Sequence, residues 1–172
     1  MTKLKRTTFH GAVLFLALCS TSLALGAVNV DLQVQNGALE VTGNNAQCSD
    51  GPIDCIEVKP GTQPHLFFSL EDACSSSANY KLTKFRIAER EKQWPSSENP
   101  LSAQIADDFC ADANTGYIDF MACNNDLKDK KMKIKDHNRS VTSVYYEVTA
   151  ANCSNPEQEI YLDPRIKNGG GN

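Results

Sequence analysis

The stretch Val28-Asn29-Val30-Asp31-Leu32-Gln33-Val34-Gln35-Asn36-Gly37-Ala38-Leu39-Glu40-Val41 decides the fold class. Val28, Val30, Leu32 and Val34 fall on one side of an extended chain, and Asn29, Asp31 and Gln33 fall on the other. A period of two marks a half-buried strand. Asn36-Gly37 is a hairpin turn signal, because both residues tolerate positive φ. Leu39 and Val41 resume on a return strand, which Gly43-Asn44-Asn45 stops.

The same period recurs outward from this hairpin. Ile56 and Val58 form a short strand ended by Pro60-Gly61, and His65 to Leu70 forms another. Apolar residues on both sides of Phe67-Phe68 predict a central strand covered on both faces. In Tyr80 to Ile87, Phe85 and Ile87 are out of phase with Tyr80 and Leu82, and one β-bulge near Thr83-Lys84 restores the register. Trp94-Pro95 and Asn99-Pro100 bound an irregular segment. Leu101, Ile105 and Phe109 recur every four residues, which predicts one or two helical turns over Leu101 to Asp108. Further strands are expected at Tyr117 to Ala122, Lys130 to Lys135, Val141 to Thr149 and Glu159 to Leu162. Short strands spaced by turn signals, with almost no helix, predict an all-β, two-sheet immunoglobulin-like sandwich of eight to nine strands; a barrel is the alternative.

The first 27 residues have the three parts of a secretory signal peptide. Lys3, Lys5 and Arg6 are followed by an apolar run from Gly11 to Leu18, and Ala24-Leu25-Gly26-Ala27 supplies the small residues of a cleavage site near Ala27. The apolar run is too short and too interrupted by hydroxyls for a stable membrane anchor. Acylation at Cys19 is disfavoured by Leu18 immediately before it. The expected division is a signal peptide over 1–27, one sandwich domain over 28–167 and a flexible Gly-rich tail over 168–172, in a protein that is periplasmic or secreted.

Loss of the signal also removes Cys19 from the seven cysteines and leaves six: Cys48, Cys55, Cys74, Cys110, Cys123 and Cys153. An even number in an exported chain predicts full pairing, although six cysteines permit 15 connectivities. Cys48 with Cys55 is the simplest pair, since Gly51-Pro52 folds the chain between them. Cys110 and Cys123 flank the Tyr117 segment, which leaves Cys74 for Cys153. No Cys-x-x-Cys is present, and His65 and His137 are far from any cysteine in sequence, so zinc is disfavoured. Nothing in the sequence lowers a thiol pKa toward redox chemistry.

Removing Lys3, Lys5 and Arg6 takes the basic count from 17 to 14 against 21 acids, so the net charge moves from −4 to −7. That sign argues against nucleic-acid binding, which relies on neutralising phosphates.

Four constellations invite a functional reading. Asp112 and Asn114, in an acidic stretch beginning at Asp107, have calcium-like spacing, but Gly116 and Cys123 stand where an EF-hand loop needs ligands, so a solvated loop is expected. Lys131, Lys133 and Lys135 line one face of a strand. This row is either protection of an exposed edge strand or an interaction face for an acidic partner. His65 and His137 are isolated, serines lack a Gly-x-Ser-x-Gly elbow, and no Cys, His and Met cluster suits blue copper. Paired carboxylates for glycoside hydrolysis are recognisable only in space. Asn138-Arg139-Ser140 and Asn152-Cys153-Ser154 are glycosylation sequons that matter only in a eukaryotic secretory route.

Tyr145-Tyr146-Glu147-Val148, followed by Ile160-Tyr161-Leu162-Asp163-Pro164-Arg165-Ile166-Lys167-Asn168, resembles the ends of small exported bacterial immunoglobulin-like proteins with a C-terminal Asp-Pro element, a generally uncharacterised group. The likeness covers only the C-terminal region. It implies a fold and an exported origin, and brings no site residues with it. The sequence therefore assigns no catalytic, metal or cofactor site. It leads to the expectation of a non-enzymatic binding or accessory module for a protein or glycan partner. The alternative is a secreted inhibitor of a host or competitor hydrolase, with the cysteine-clamped Gly51-Pro52-Ile53-Asp54 loop as its contact. A hydrolase or lyase with a carboxylate site would require a cleft in which acids converge.

Overall fold

The computed structural model describes residues 26–75, 79–139 and 143–168. The predicted signal sequence up to residue 25, with Cys19, and the glycine-rich end from residue 169 lie outside the described residues. Ten strands and one short helix follow in the order β1 (Ala27–Gln35), β2 (Ala38–Asn44), β3 (Ile56–Val58), β4 (His65–Leu70), β5 (Tyr80–Ala88), α1 (Ala103–Phe109), β6 (Asp126–Lys128), β7 (Lys131–Lys135), β8 (Val144–Asn152), β9 (Glu159–Leu162) and β10 (Arg165–Asn168).

The strands form two mixed sheets. One has the order β2-β1-β4-β7-β6; the other has the order β3-β10-β8-β5, with β9 also paired to β8. The opening hairpin forms as its sequence dictates: Asn36 and Gly37 take φ of 51° and 79°. Val30 and Leu32 of β1 are completely buried while Asn29 and Asp31 are exposed. β1 runs parallel to β4, and the other pairings in that sheet are antiparallel. The register slip expected near Thr83-Lys84 is present between Leu82 and Lys84, where β5 pairs with β8.

The core lies between the sheets. Phe68 of β4 meets Phe85 of β5 and Tyr146 of β8, with ring centroids 5.2 to 5.4 Å apart. All three are fully buried, and such contacts add to the stabilisation from removing their apolar area from water. The Tyr146 hydroxyl is satisfied by donating to the Asp54 carbonyl at 3.0 Å.

Four differences from the sequence reading have local causes. Phe67 is only partly covered, so β4 is central but not buried on both faces. Tyr117 to Ala122 contributes only isolated bridges, Arg86 to Tyr117 and Ala111 to Ile118. The segment cannot continue as a strand because Asp119 turns the chain, accepting from Met121 N at 2.7 Å. The helix starts later than predicted, at Ala103, because Leu101 N is tied to Ala113 O. The fold also runs through Asn168, which ends β10 and is 1% exposed, where composition suggests the start of a tail.

Three disulfides staple the loops. Cys48–Cys55 closes the turn before β3, Cys74–Cys153 ties the β4–β5 connection to the end of β8, and Cys110–Cys123 closes the segment after α1. Their Cα separations of 5.4, 5.7 and 6.3 Å suit bridging without backbone displacement. Such pairs persist in an oxidising environment outside the cytoplasm.

Candidate functional site

Because Phe85, Ile87, Tyr146 and Val148 turn into the core, the alternation of β5 and β8 sends Lys84, Arg86, Glu147 and Thr149 to the outer face of the second sheet. Pairing sets Arg86 opposite Glu147, Lys84 opposite Thr149, and Tyr161 of β9 opposite Thr149 on the far edge of β8. Outward positions on a sandwich are usually wet. Here Glu147 and Thr149 are only 6% and 4% exposed.

The cover comes from two irregular segments. The Arg86 guanidinium lies 4.0 Å from the centre of the Trp94 ring and 5.7 Å from that of Tyr117, in cation–π geometry. Gly116 makes this seating possible. Its φ is +73°, and a Cβ there would stand 2.2 Å from the Ile87 carbonyl oxygen and 3.1 Å from Pro95 Cγ. Its own carbonyl accepts from Ile87 N at 2.9 Å, which places Tyr117 beside Arg86.

Arg86 donates to both carboxylate oxygens of Glu147, from Nε at 2.9 Å and from Nη2 at 2.7 Å. A planar fork on a carboxylate is the strong form of such a bond. Lys84 pairs with Glu159 at 2.7 Å. Around Arg86, Glu147, Thr149 and Glu159 opens a cleft of about 530 Å³, lined also by Lys92, Trp94, Tyr117, Tyr161 and Asp163. This volume lies within the range of small-ligand sites. Tyr161 is 67% exposed, and burial followed by the nearby Glu147 raises the Asp163 pKa.

Three acids therefore converge, as a carboxylate enzyme would require. Two of them are neutralised at contact distance, Glu147 by Arg86 and Glu159 by Lys84, while Asp163 lines the cleft without an ion-pair contact among the described residues. What the cleft presents is a set of aromatic rings beside fixed donors and acceptors of nearly balanced charge. That chemistry suits a neutral ligand carrying both apolar patches and hydroxyls.

No family model and no curated protein matches the chain. Among solved structures, the chain is similar to the McoA multicopper oxidase from the hyperthermophile Aquifex aeolicus, at 12% identity and a TM-score of 0.33. The match covers 84% of this chain and spans 30% of that one. At that score the likeness bears on neither fold nor function.

The residues singled out from sequence are distributed elsewhere. β7, with its lysines, is not an edge strand, since β6 pairs with its outer side. Lys131 lies 5.1 Å from the Phe67 ring centre, and Lys133 stands opposite Phe67. Lys135 is instead covered, at 8% exposure, and donates from Nζ to the Gln63 carbonyl. The row of three is thus a pair plus a structural residue. His65 lies opposite Lys135, and burial, then Lys135 and Lys133, lowers its pKa. His137 is close to cysteine sulfur in space: its ring nitrogen and the Cys110 and Cys123 sulfurs lie within 4.8 Å of one another, but both sulfurs are committed to a disulfide. Asp112 makes a loop turn, accepting from Asn114 N, Thr115 N and the Thr115 hydroxyl. The Asn138 sequon amide donates to the carbonyls of Lys59 and Thr62, so it is engaged within the fold.

Proposed function

We propose that the chain is an exported binding module whose cleft takes a neutral, polyhydroxylated ligand of glycan type. The observation that carries this reading is the outward-facing Arg86–Glu147 pair, shielded from water by Trp94 and Tyr117 and faced by the exposed Tyr161. Sugars offer C–H faces to aromatic rings and hydroxyls to fixed donors and acceptors, and this cleft supplies both. Export by a signal peptide cut near Ala27, with a periplasmic or secreted destination, fits the three disulfides. A cut there would leave every buried residue of β1 in place, since Val28 is the first of them. An immunoglobulin-like ancestry is compatible with the two sheets. Among the described residues no helix is long and apolar enough to cross a membrane.

Trp94 is the sole tryptophan and lines the cleft, so its fluorescence reports occupancy directly. Titration with neutral, amino and acidic oligosaccharides should shift that emission for a neutral member, and Tyr161→Ala should weaken the response at least tenfold. An emission unchanged across the panel, with calorimetry silent as well, would remove the glycan reading.

One observation favours a second reading, the hydrolase inhibitor. Ile53, at 43% exposure, projects from the loop clamped by Cys48–Cys55, as a contact residue would. Rates of a protease and lysozyme panel would fall on addition of the protein, and recover with Ile53→Asp, if that loop acts on such enzymes.

A further inference from the structure

We infer that the outer face of the first sheet, at Lys130, Lys131 and Lys133, binds an acidic polysaccharide. Lysines lined along a strand serve either to protect an edge or to meet an acidic partner. β7 is interior, between β4 and β6, so it has no edge to protect. That role falls to β6, which is three residues long and carries the Asp126–Lys128 pair.

Met132 and Ile134 are completely buried in the core, so Lys131 and Lys133 lie on the opposite, outer face of the strand. Lys130 precedes them and is exposed. The register sets Lys133 between Phe67 and Asp126, and Lys131 between Ser69 and Lys128. Among the described residues none of these three lysines forms an ion pair. The nearby acids are turned elsewhere: Asp126 meets Lys128 at 3.4 Å, and Asp129 meets Lys81 at 3.6 Å. Asp31, beyond Ser69 on β1, and Glu71, just past β4, form no ion pair with them.

Like charges directly opposite each other on paired strands are destabilising. Lys128 opposite Lys131 is such a pair, so the fold keeps a repulsion that a ligand of opposite charge would relieve. His65 senses the same field, since burial, then Lys135 and Lys133, lowers its pKa. Five of the 14 basic residues beyond position 27 fall between 128 and 135, on a chain of net charge −7. A positive face on a negative protein selects a polyanion and fixes its place, because the rest of the surface repels it.

The chemistry of the face narrows the class. Lys131 and Lys133 are about 7 Å apart along the strand, a spacing that a linear chain of repeated charges can follow. Lysine heads are compact, with three rotatable donors, which suits carboxylate or sulfate groups whose orientation varies; the planar fork that favours phosphate belongs to arginine. The Phe67 ring is occupied by Lys131 at 5.1 Å and by His65 at 6.1 Å, so the face lacks the free ring that base stacking uses. The cleft opens on the outer face of the other sheet and shares no residue with this one, so the two readings stand or fall separately.

The test passes the full mature chain, at pH 7 and low salt, over immobilised polygalacturonate and dextran sulfate, with neutral dextran as the control. Net charge alone predicts exclusion from the acidic matrices. We expect retention on both, none on dextran, and release by about 0.2 M sodium chloride as screening sets in. Lys131→Gln with Lys133→Gln should weaken binding to soluble polygalacturonate by about tenfold or more, while the charge-matched pair Lys59→Gln with Arg90→Gln should change it by about twofold at most. If the first pair does not fold, Lys130→Gln with Lys131→Gln takes its place. Exclusion of the unaltered chain from both acidic matrices overturns the proposal, as does retention that the β7 substitutions leave unchanged. Binding to a single-stranded polynucleotide or to phosphatidylglycerol vesicles, with none to either acidic polysaccharide, overturns it as well and gives the face to another polyanion.

Discussion

Arg86 and Glu147 stand opposite each other on β5 and β8 and share two parallel hydrogen bonds on the outer face of the second sheet. The Arg86 side chain is 23% and the Glu147 side chain 8% exposed, so the pair is neither fully wet nor fully dry. Removing one partner strands the other. We expect Arg86→Met to cost about 2 kcal/mol, between the values for exposed and buried pairs. Replacing both, as Arg86→Met with Glu147→Leu, should restore most of that stability. Ligand binding should stay lost in the double variant, because its polar contacts are gone. Urea unfolding and Trp94 fluorescence, measured on the same three proteins, separate the two effects. A double variant that binds normally would show the pair to be structural only.

Gly116 supplies the backbone that seats Tyr117 against Arg86, so the predicted outcome of Gly116→Ala is a damaged cleft as well as a weaker fold. An alanine at φ +73° is strained, and its Cβ would collide with the Ile87 carbonyl, which cannot move without disturbing the Ile87 N to Gly116 O bond. We expect destabilisation beyond about 1 kcal/mol, the scale at which glycine replacement at an incompatible φ begins. Denaturant unfolding measures it. Unchanged stability would mean that residues 111–118 shift freely and do not hold the cleft in shape.

The scaffold is more legible in the sequence than the cleft, for a physical reason. Strand alternation, the Asn36-Gly37 turn and the slip at Leu82 to Lys84 are local signals written in neighbouring residues. β6 and β10 escape such a reading because Asp126-Leu127-Lys128 and Arg165-Ile166-Lys167-Asn168 each hold a single apolar residue, which cannot register a period, whereas the equally short β3 and β9 hold two or more. Arg86, Trp94, Glu147 and Tyr161 come from four separate segments, and only strand pairing brings them together. A usable clue is present in β8, where Glu147 interrupts an otherwise apolar and aromatic run and so requires a partner. The Asp-rich stretch draws attention to Asp112 and Asn114, yet those form a loop turn. Asp108, in the same stretch, is held against the segment after β7, whose composition reads as a turn: its carbonyl accepts from His137 N and its carboxylate from Arg139 N.

The three disulfides should rank by the length of chain they close. Cys74–Cys153 spans 79 positions, Cys110–Cys123 spans 13 and Cys48–Cys55 spans 7. In the chain-entropy picture, their removal as paired serine variants costs about 4–5, about 3 and about 2.5 kcal/mol respectively. Guanidinium unfolding of the three variants gives the order. A larger loss from Cys48–Cys55 than from Cys74–Cys153 would show that native packing of the stapled loop, and not restraint of the unfolded chain, dominates.

His65 gives the fold a dependence on pH whose sign is fixed by its surroundings. Burial disfavours its charged form, and Lys135 and Lys133 add to that, so its pKa is lower in the folded chain than the ordinary 6.5 of the unfolded one. Between those two values the unfolded chain binds the extra proton, and stability rises with pH. Stability should therefore fall as pH drops below about 6.5 and level off once the folded-state value is passed. Carboxylates titrate in the lower part of the same range, so the informative quantity is the difference from His65→Gln, which has no proton to take up. The gap between the two unfolding free energies should shift in favour of the glutamine variant from pH 7 to pH 5. Lys133→Met should shrink that shift, because one of the charges opposing protonation is gone. Parallel curves for the original chain and the glutamine variant would mean that the imidazole is as free to charge in the folded state as in the unfolded one.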